Sequence, residues 1–153
     1  MIDALLTKGA RLILNDISSA ALDRVKERHT DKRDAIHWLC KDISQPVPVD
    51  VPAADIWIDR AVLHFLTDKD TIEGYFKNLK DVLRVGGHAV FAEFSEHGAP
   101  KCAGLTLHRY AVGELSERLG ESFDLVSQFD HTYLNPNGDP RPYIYTMYRR
   151  IDG

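Results

Sequence analysis

With 153 residues, 44% of them hydrophobic and 27% charged, the chain has the make-up of one ordinary globular domain spanning residues 1–153. A formal net charge of −4, with Lys and Arg dispersed rather than striped, argues against nucleic acid as a partner, because phosphate binding needs a basic face. No apolar run approaches the ~18 residues of a membrane-spanning helix, and Met1–Gly9 has neither the basic start nor the small-residue cleavage site of a secretion signal. Cys40 and Cys102 form no CxxC pair, so reduced thiols and a cytoplasmic location are expected.

Short apolar runs alternate with stretches of helical period. Residues 2–8 read as the end of a helix stopped at Gly9. Residues 10–16 read as a strand that ends on Asp16, and Ser18 or Ser19 caps a helix over 20–29. A second strand, 35–41, leads to a second acid, Asp42. Residues 43–53 hold three of the seven prolines and form a loop. A third strand, 54–59, ends on Asp59 and runs into Arg60-Ala61-Val62-Leu63-His64-Phe65-Leu66.

Asp68 or Asp70 opens a helix to about Arg84, in which Ile72, Phe76, Leu79 and Leu83 make a buried stripe. Val85-Gly86-Gly87 then breaks that helix before a strand over 88–94. A helix over 112–119 precedes two strands, 123–134 and 141–150. The turn-rich loop Asn135-Pro136-Asn137-Gly138-Asp139-Pro140 joins them as an antiparallel hairpin. This grammar predicts an α/β fold with a doubly wound, Rossmann-like, mostly parallel sheet and a C-terminal antiparallel hairpin.

In open α/β sheets, ligands bind outside the carboxyl ends of the strands, where Asp16, Asp42 and Asp59 fall. Asp16 suits two ribose hydroxyls, and Asp42 suits an exocyclic amine with the backbone of Ile43 beside the base. Asp59 and Arg60 fall near the charged tail of such a cofactor. The plainer reading of any one strand-end acid is a cap on the following turn.

The segments Leu-Ile-Leu-Asn-Asp-Ile-Ser, Cys-Lys-Asp-Ile and Asp-Ile-Trp-Ile-Asp-Arg-Ala-Val-Leu-His-Phe-Leu resemble the class I S-adenosylmethionine-dependent methyltransferases. The stretch Leu-Lys-Asp-Val-Leu-Arg-Val-Gly-Gly-His-Ala-Val-Phe-Ala-Glu-Phe extends the resemblance, with Val85 where the family usually has proline. The resemblance implies that S-adenosylmethionine is the cofactor and a small molecule the acceptor. It implies that Asp16 holds the ribose, Ile17 packs on the adenine, Asp42 meets the adenine amine beside Ile43, and Asp59 and Arg60 face the methionine end and the acceptor.

The family begins with a strand and a Gly-x-Gly turn, and neither is found before Asp16. The expectation is therefore a first strand missing and cofactor binding weak or lost. Two strand edges are then left without partners, for which a homodimer is the expected remedy. A non-catalytic dimeric binding or scaffold module with the same fold is the alternative function.

His64 follows Arg60 by four positions, so both suit one pocket on a helical turn. There His64 is either a general base or a packed or capping residue. Glu93 and the loop 95–109, with Arg109 and Tyr110, fall where the family binds its acceptor. Trp38 and Trp57 read as core, and Tyr133, Tyr143, Tyr145 and Tyr148 as packing of the hairpin. No ligand spacing among the histidines and cysteines points to a metal.

Overall fold

The computed structural model describes residues 1–152, which fall into two compact units, Met1–Pro52 and the remainder from Ala53. In the first unit, helix α1 (Ile2–Thr7) is followed by Gly9 at φ +79°, a left-handed turn that glycine adopts without strain. Strand β1 (Leu12–Asp16) leads into helix α2 (Ser19–Arg28), whose first turn is capped by Ser18: its Oγ accepts from Ala21 N–H at 3.2 Å. A 3₁₀ turn (Thr30–Ala35) brings the chain to β2 (Ile36–Cys40). Strands β1 and β2 pair in parallel, from Leu12↔Ile36 to Asp16↔Cys40. Leu6, Leu22, Ile36 and Leu39 are the buried apolar residues here.

The second unit opens with β3 (Ala54–Arg60), a 3₁₀ turn (Leu63–Phe65) and helix α3 (Lys69–Val82). Asp68 caps α3, accepting from Thr71 N–H at 3.0 Å. Ile72, Tyr75, Phe76, Leu79 and Val82 form its buried face. Strand β4 (Leu83–Phe94) follows directly, then the short strands β5 (Lys101–Cys102) and β6 (Leu105–Thr106). Helix α4 (Val112–Leu119) precedes the hairpin β7 (Phe123–Leu134) and β8 (Pro140–Arg150).

The four-stranded sheet runs β3-β4-β8-β7: β3 and β4 are parallel, while β8 is antiparallel to both β4 and β7. Each unit therefore carries one parallel β-α-β repeat, β1-α2-β2 and β3-α3-β4, and the hairpin supplies the antiparallel edge. Among the described residues β1 is bonded only to β2, and β3 only to β4.

Several local expectations change. The helix over 69–84 stops at Val82, and Val85-Gly86-Gly87 lies inside β4 rather than before it. There the pairing with β3 slips from Ala54↔Leu83 to Ile56↔His88. Gly86 takes φ +84°, and a Cβ on Gly87 would sit 2.8 Å from the Asp55 carbonyl oxygen. The end of α3 is closed from a distance, by the Arg150 guanidinium donating to the Lys80 and Leu83 carbonyls. Trp38 and Trp57 are half-buried, not core. Lys26 Nζ lies over the Trp38 ring, and Trp57 Nε1 donates to Tyr75 Oη at 2.8 Å. Of the four tyrosines only Tyr148 is fully buried, while Tyr133 is exposed.

Candidate functional site

In the first unit, parallel pairing brings two acids to the same end of two adjacent strands. Asp16 closes β1, and its carbonyl accepts from Lys41 N–H at 3.1 Å, one residue before Asp42. Asn15 locks this end by donating from Nδ2 to the carbonyls of Leu39 (3.0 Å) and Lys41 (2.8 Å). Asp16 Oδ1 accepts from Ser18 N–H at 2.8 Å, which fixes the carboxylate at the mouth of the strand–helix turn. Asp42 Oδ1 is held likewise by Ser44, from N–H at 2.9 Å and Oγ at 2.7 Å. Ile17, next to Asp16, is 74% exposed, whereas Ile43 is half-buried. The result is two oriented carboxylates, one beside an exposed apolar side chain. That set suits a polar sugar carrying a flat heteroaromatic base.

In the second unit, Asp59 is 5% exposed and does not open onto solvent. Its carboxylate accepts from Val62 N–H (Oδ1, 3.0 Å), Leu63 N–H (Oδ2, 3.2 Å) and Tyr75 O–H (Oδ2, 2.6 Å). Its role is to brace the turn that follows β3 rather than to offer a free ligand. Arg60 is exposed, but His64 is completely buried, so the turn does not bring the two side chains to one open pocket. The His64 ring packs against Phe65 and Phe94, with centroids 4.6 and 4.9 Å away. Burial lowers its pKa to about 4, so the ring is neutral at pH 7.

Glu93 also differs from its expected place at an acceptor pocket: it is wholly buried. Its Oε2 accepts from His64 N–H at 3.1 Å and lies 2.7 Å from His64 Nδ1, outside hydrogen-bond alignment. Burial first, and then the adjacent Asp59 charge, push its pKa well above the usual carboxyl value. Burial also raises Asp59, against the pull of the Tyr75 hydroxyl and the Val62 amide. Tyr75 did not stand out in the sequence, where it reads as one more residue of an apolar helix face. Glu93 carried one legible signal, as the only acid in Ala89–Phe94.

The loop from Ser95 is self-closing. Arg109 Nη1 donates to the carbonyls of Glu96 (3.0 Å) and Gly98 (2.9 Å), and Tyr110 is buried. No group of three or more His, Cys, Asp or Glu that could hold a metal occurs among the described residues.

Residues 1–91 match the family described as "Methyltransferase domain", which is more than half of the chain. The chain belongs to the methyltransferase domain family. Solved structures agree in fold. An S-adenosylmethionine-dependent methyltransferase of Methanosarcina mazei superposes with a TM-score of 0.78 at 15% identity, covering 100% of this chain and 88% of that one. The N-methyltransferase NodS of Bradyrhizobium japonicum, in complex with S-adenosylhomocysteine, gives 0.72 at 20% identity over 93% of this chain and 67% of that one.

The 1,6-didemethyltoxoflavin-N1-methyltransferase of Burkholderia thailandensis, with 1,6-didemethyltoxoflavin and S-adenosylhomocysteine bound, gives 0.73 at 18% identity. It covers 99% of this chain and 66% of that one. The methyltransferase domain thus spans about two thirds of the length of these last two proteins. No curated protein matches its sequence. No helix is long and apolar enough to cross a membrane among the described residues.

Proposed function

We propose that this methyltransferase domain binds the adenosyl part of S-adenosylmethionine and serves methyl transfer to a small molecule. The observation that carries the reading is the oriented carboxylate of Asp16, at the strand–helix turn beside exposed Ile17. Asp16 would accept from the ribose hydroxyls, with Ile17 against the adenine. Asp42 would accept from the adenine amine beside Ile43. When bound, the cofactor supplies an electrophilic methyl on a sulfonium centre, and the domain's contribution is chiefly to orient the reactants.

Arg60, the last residue of β3, is exposed and would take up an anionic group. His64, sealed and neutral, supports the turn and is not a base on the acceptor.

Asp16, Ile17, Asp42 and Ile43 all address the adenosine half of the cofactor in this reading. Adenosine is accordingly expected to bind within about threefold of S-adenosylhomocysteine, a gap under ~0.7 kcal/mol. Calorimetric titration tests this. Asp16→Ala lowers affinity for both ligands by about tenfold or more, the worth of hydrogen bonds to a charged acceptor. Unchanged affinity in Asp16→Ala would remove the ribose assignment. The reading places the domain in the cytoplasm, where Cys40 and Cys102, both free, stay reduced.

A second feature supports self-association. Among the described residues strand β3 is bonded on one edge only, and its Ile56 and Ile58 are 56% and 43% exposed. Such an edge favours pairing with another chain, and a homodimer would cover it. Light scattering giving a monomer mass at tens of micromolar would refute the dimer.

A further inference from the structure

Four consecutive amides after β3 have fixed acceptors. Ala61 N–H donates to the Ala92 carbonyl (3.0 Å), Val62 and Leu63 N–H to the two oxygens of Asp59, and His64 N–H to Glu93 Oε2. The His64 carbonyl in turn accepts from His108 N–H at 2.8 Å. Ala61 sits at φ +66°, a strained setting for a residue with a Cβ, and it persists because its neighbours are tied on both sides. Two buried carboxyls from adjacent strands, Asp59 on β3 and Glu93 on β4, thus carry the turn that follows Arg60.

These two buried carboxyls stand on paired strands and take the successive amides of Leu63 and His64, and both cannot be ionised in a dry interior without a counter-charge. His64 is a poor counter-charge. An imidazolium needs an acceptor at each nitrogen, yet Nε2 has none and Nδ1 meets Glu93 out of alignment, among the rings of Phe65, Phe94 and Tyr143. Asp59 already accepts three hydrogen bonds, all of which an ionised oxygen strengthens.

We propose that Glu93 is a neutral carboxylic acid that donates its proton to ionised Asp59, and that this pair positions the Asp59–Phe65 turn. The titratable and charged groups facing it are Asp59 from β3, His64 from the turn, Tyr75 from α3, Tyr110 before α4 and Tyr143 from β8. Arg60 lies near Tyr143, and Glu114 and Arg118 lie near Tyr110. Tyr75 and Tyr110, both held in the neutral form by burial, add no charge.

The relevance of the turn to methyl transfer rests on the reading above, but the protonation does not. The test needs no cofactor, so its failure and that of the cofactor assignment are separate outcomes. Glutamine reproduces a protonated Glu93, with an N–H donor towards Asp59 and a carbonyl acceptor for His64 N–H. Asparagine at 59 turns a donor against Val62, Leu63 or Tyr75.

Urea unfolding from pH 5 to 9 is measured on the full chain with Glu93→Gln, Glu93→Ala and Asp59→Asn. Glu93→Gln is expected to fold, and Glu93→Ala and Asp59→Asn to lose at least tenfold in folding constant. Because unfolding releases the Glu93 proton, the folding constant of Glu93→Gln gains on wild type by up to tenfold per pH unit as pH rises above about 4.5. Infrared spectra at pH 7 show a protonated-carboxyl band in wild type that Glu93→Gln lacks.

A Glu93→Gln chain as damaged as Glu93→Ala would overturn the assignment in favour of a Glu93–His64 ion pair, as would absence of the infrared band. An Asp59→Asn chain that folds as well as Glu93→Gln would overturn the direction of the proton. A ratio between Glu93→Gln and wild type that stays constant with pH would overturn both.

Discussion

Tyr75 makes two hydrogen bonds through one hydroxyl, so Tyr75→Phe gives a sharp test of the buried network. The substitution keeps the ring, its edge-on contact with Trp57 and its packing on Phe76, and removes only the oxygen. Two hydrogen bonds go with it: O–H to Asp59 Oδ2 at 2.6 Å, and Trp57 Nε1–H to Oη at 2.8 Å. A bond to a charged acceptor is worth about 1.5–3 kcal/mol.

The second bond, to a half-buried indole N–H that water can partly rescue, is worth about 0.5–1 kcal/mol. The sum is about 2–4 kcal/mol, or roughly 5–15 °C in melting temperature at this chain length. Urea unfolding followed by Trp57 fluorescence, in a Trp38→Phe background, measures it in the unit concerned. A loss below about 0.5 kcal/mol would refute the claim that Tyr75 holds Asp59. A loss near 2–4 kcal/mol with unchanged far-ultraviolet dichroism would support it.

Two further outcomes follow from the same geometry. His64 has its pKa lowered to about 4 from 6.5, so unfolding takes up a proton between those values and stability falls as pH drops from 6.5 towards 4. His64→Leu removes that loss, so the variant-minus-wild-type difference in unfolding free energy grows by about 1.4 kcal/mol per pH unit, about 3 kcal/mol in all. A difference that does not vary with pH would mean that the ring is charged in the fold. Gly87→Ala forces a Cβ to within 2.8 Å of the Asp55 carbonyl and 2.9 Å of the Arg84 carbonyl, both backbone atoms. A destabilisation of about 1–3 kcal/mol is expected by calorimetry, whereas Gly113→Ala, where the space is open, stays within about 0.5 kcal/mol of wild type or gains stability.

Elements whose cause lies within a few residues were legible in the sequence. Gly9 stops a helix and Ser18 and Asp68 cap two more, because a side chain or a left-handed residue satisfies amides in its own turn. The span of α4 and the start and end of β7 coincide with the expected 112–119 and 123–134, since hydrophobic period and turn residues are local signals. The place of Asp16 at the end of β1 is local in the same way, whereas Asp42 lies two residues beyond the end of β2.

What tertiary structure decided lies across strand pairings. The sequence placed Asp59, Arg60 and His64 in one run of residues and suggested a shared pocket. The parallel register Asp59↔Phe91 instead brings Glu93, distant in sequence, onto the turn and buries His64 beneath it. Likewise the end of α3 depends on Arg150, and the place of Gly86-Gly87 within a strand depends on pairing with β3. Burial is a property of neighbours that only the fold assembles, and burial decides whether a carboxyl is a ligand for solvent-borne groups or a proton donor inside the protein.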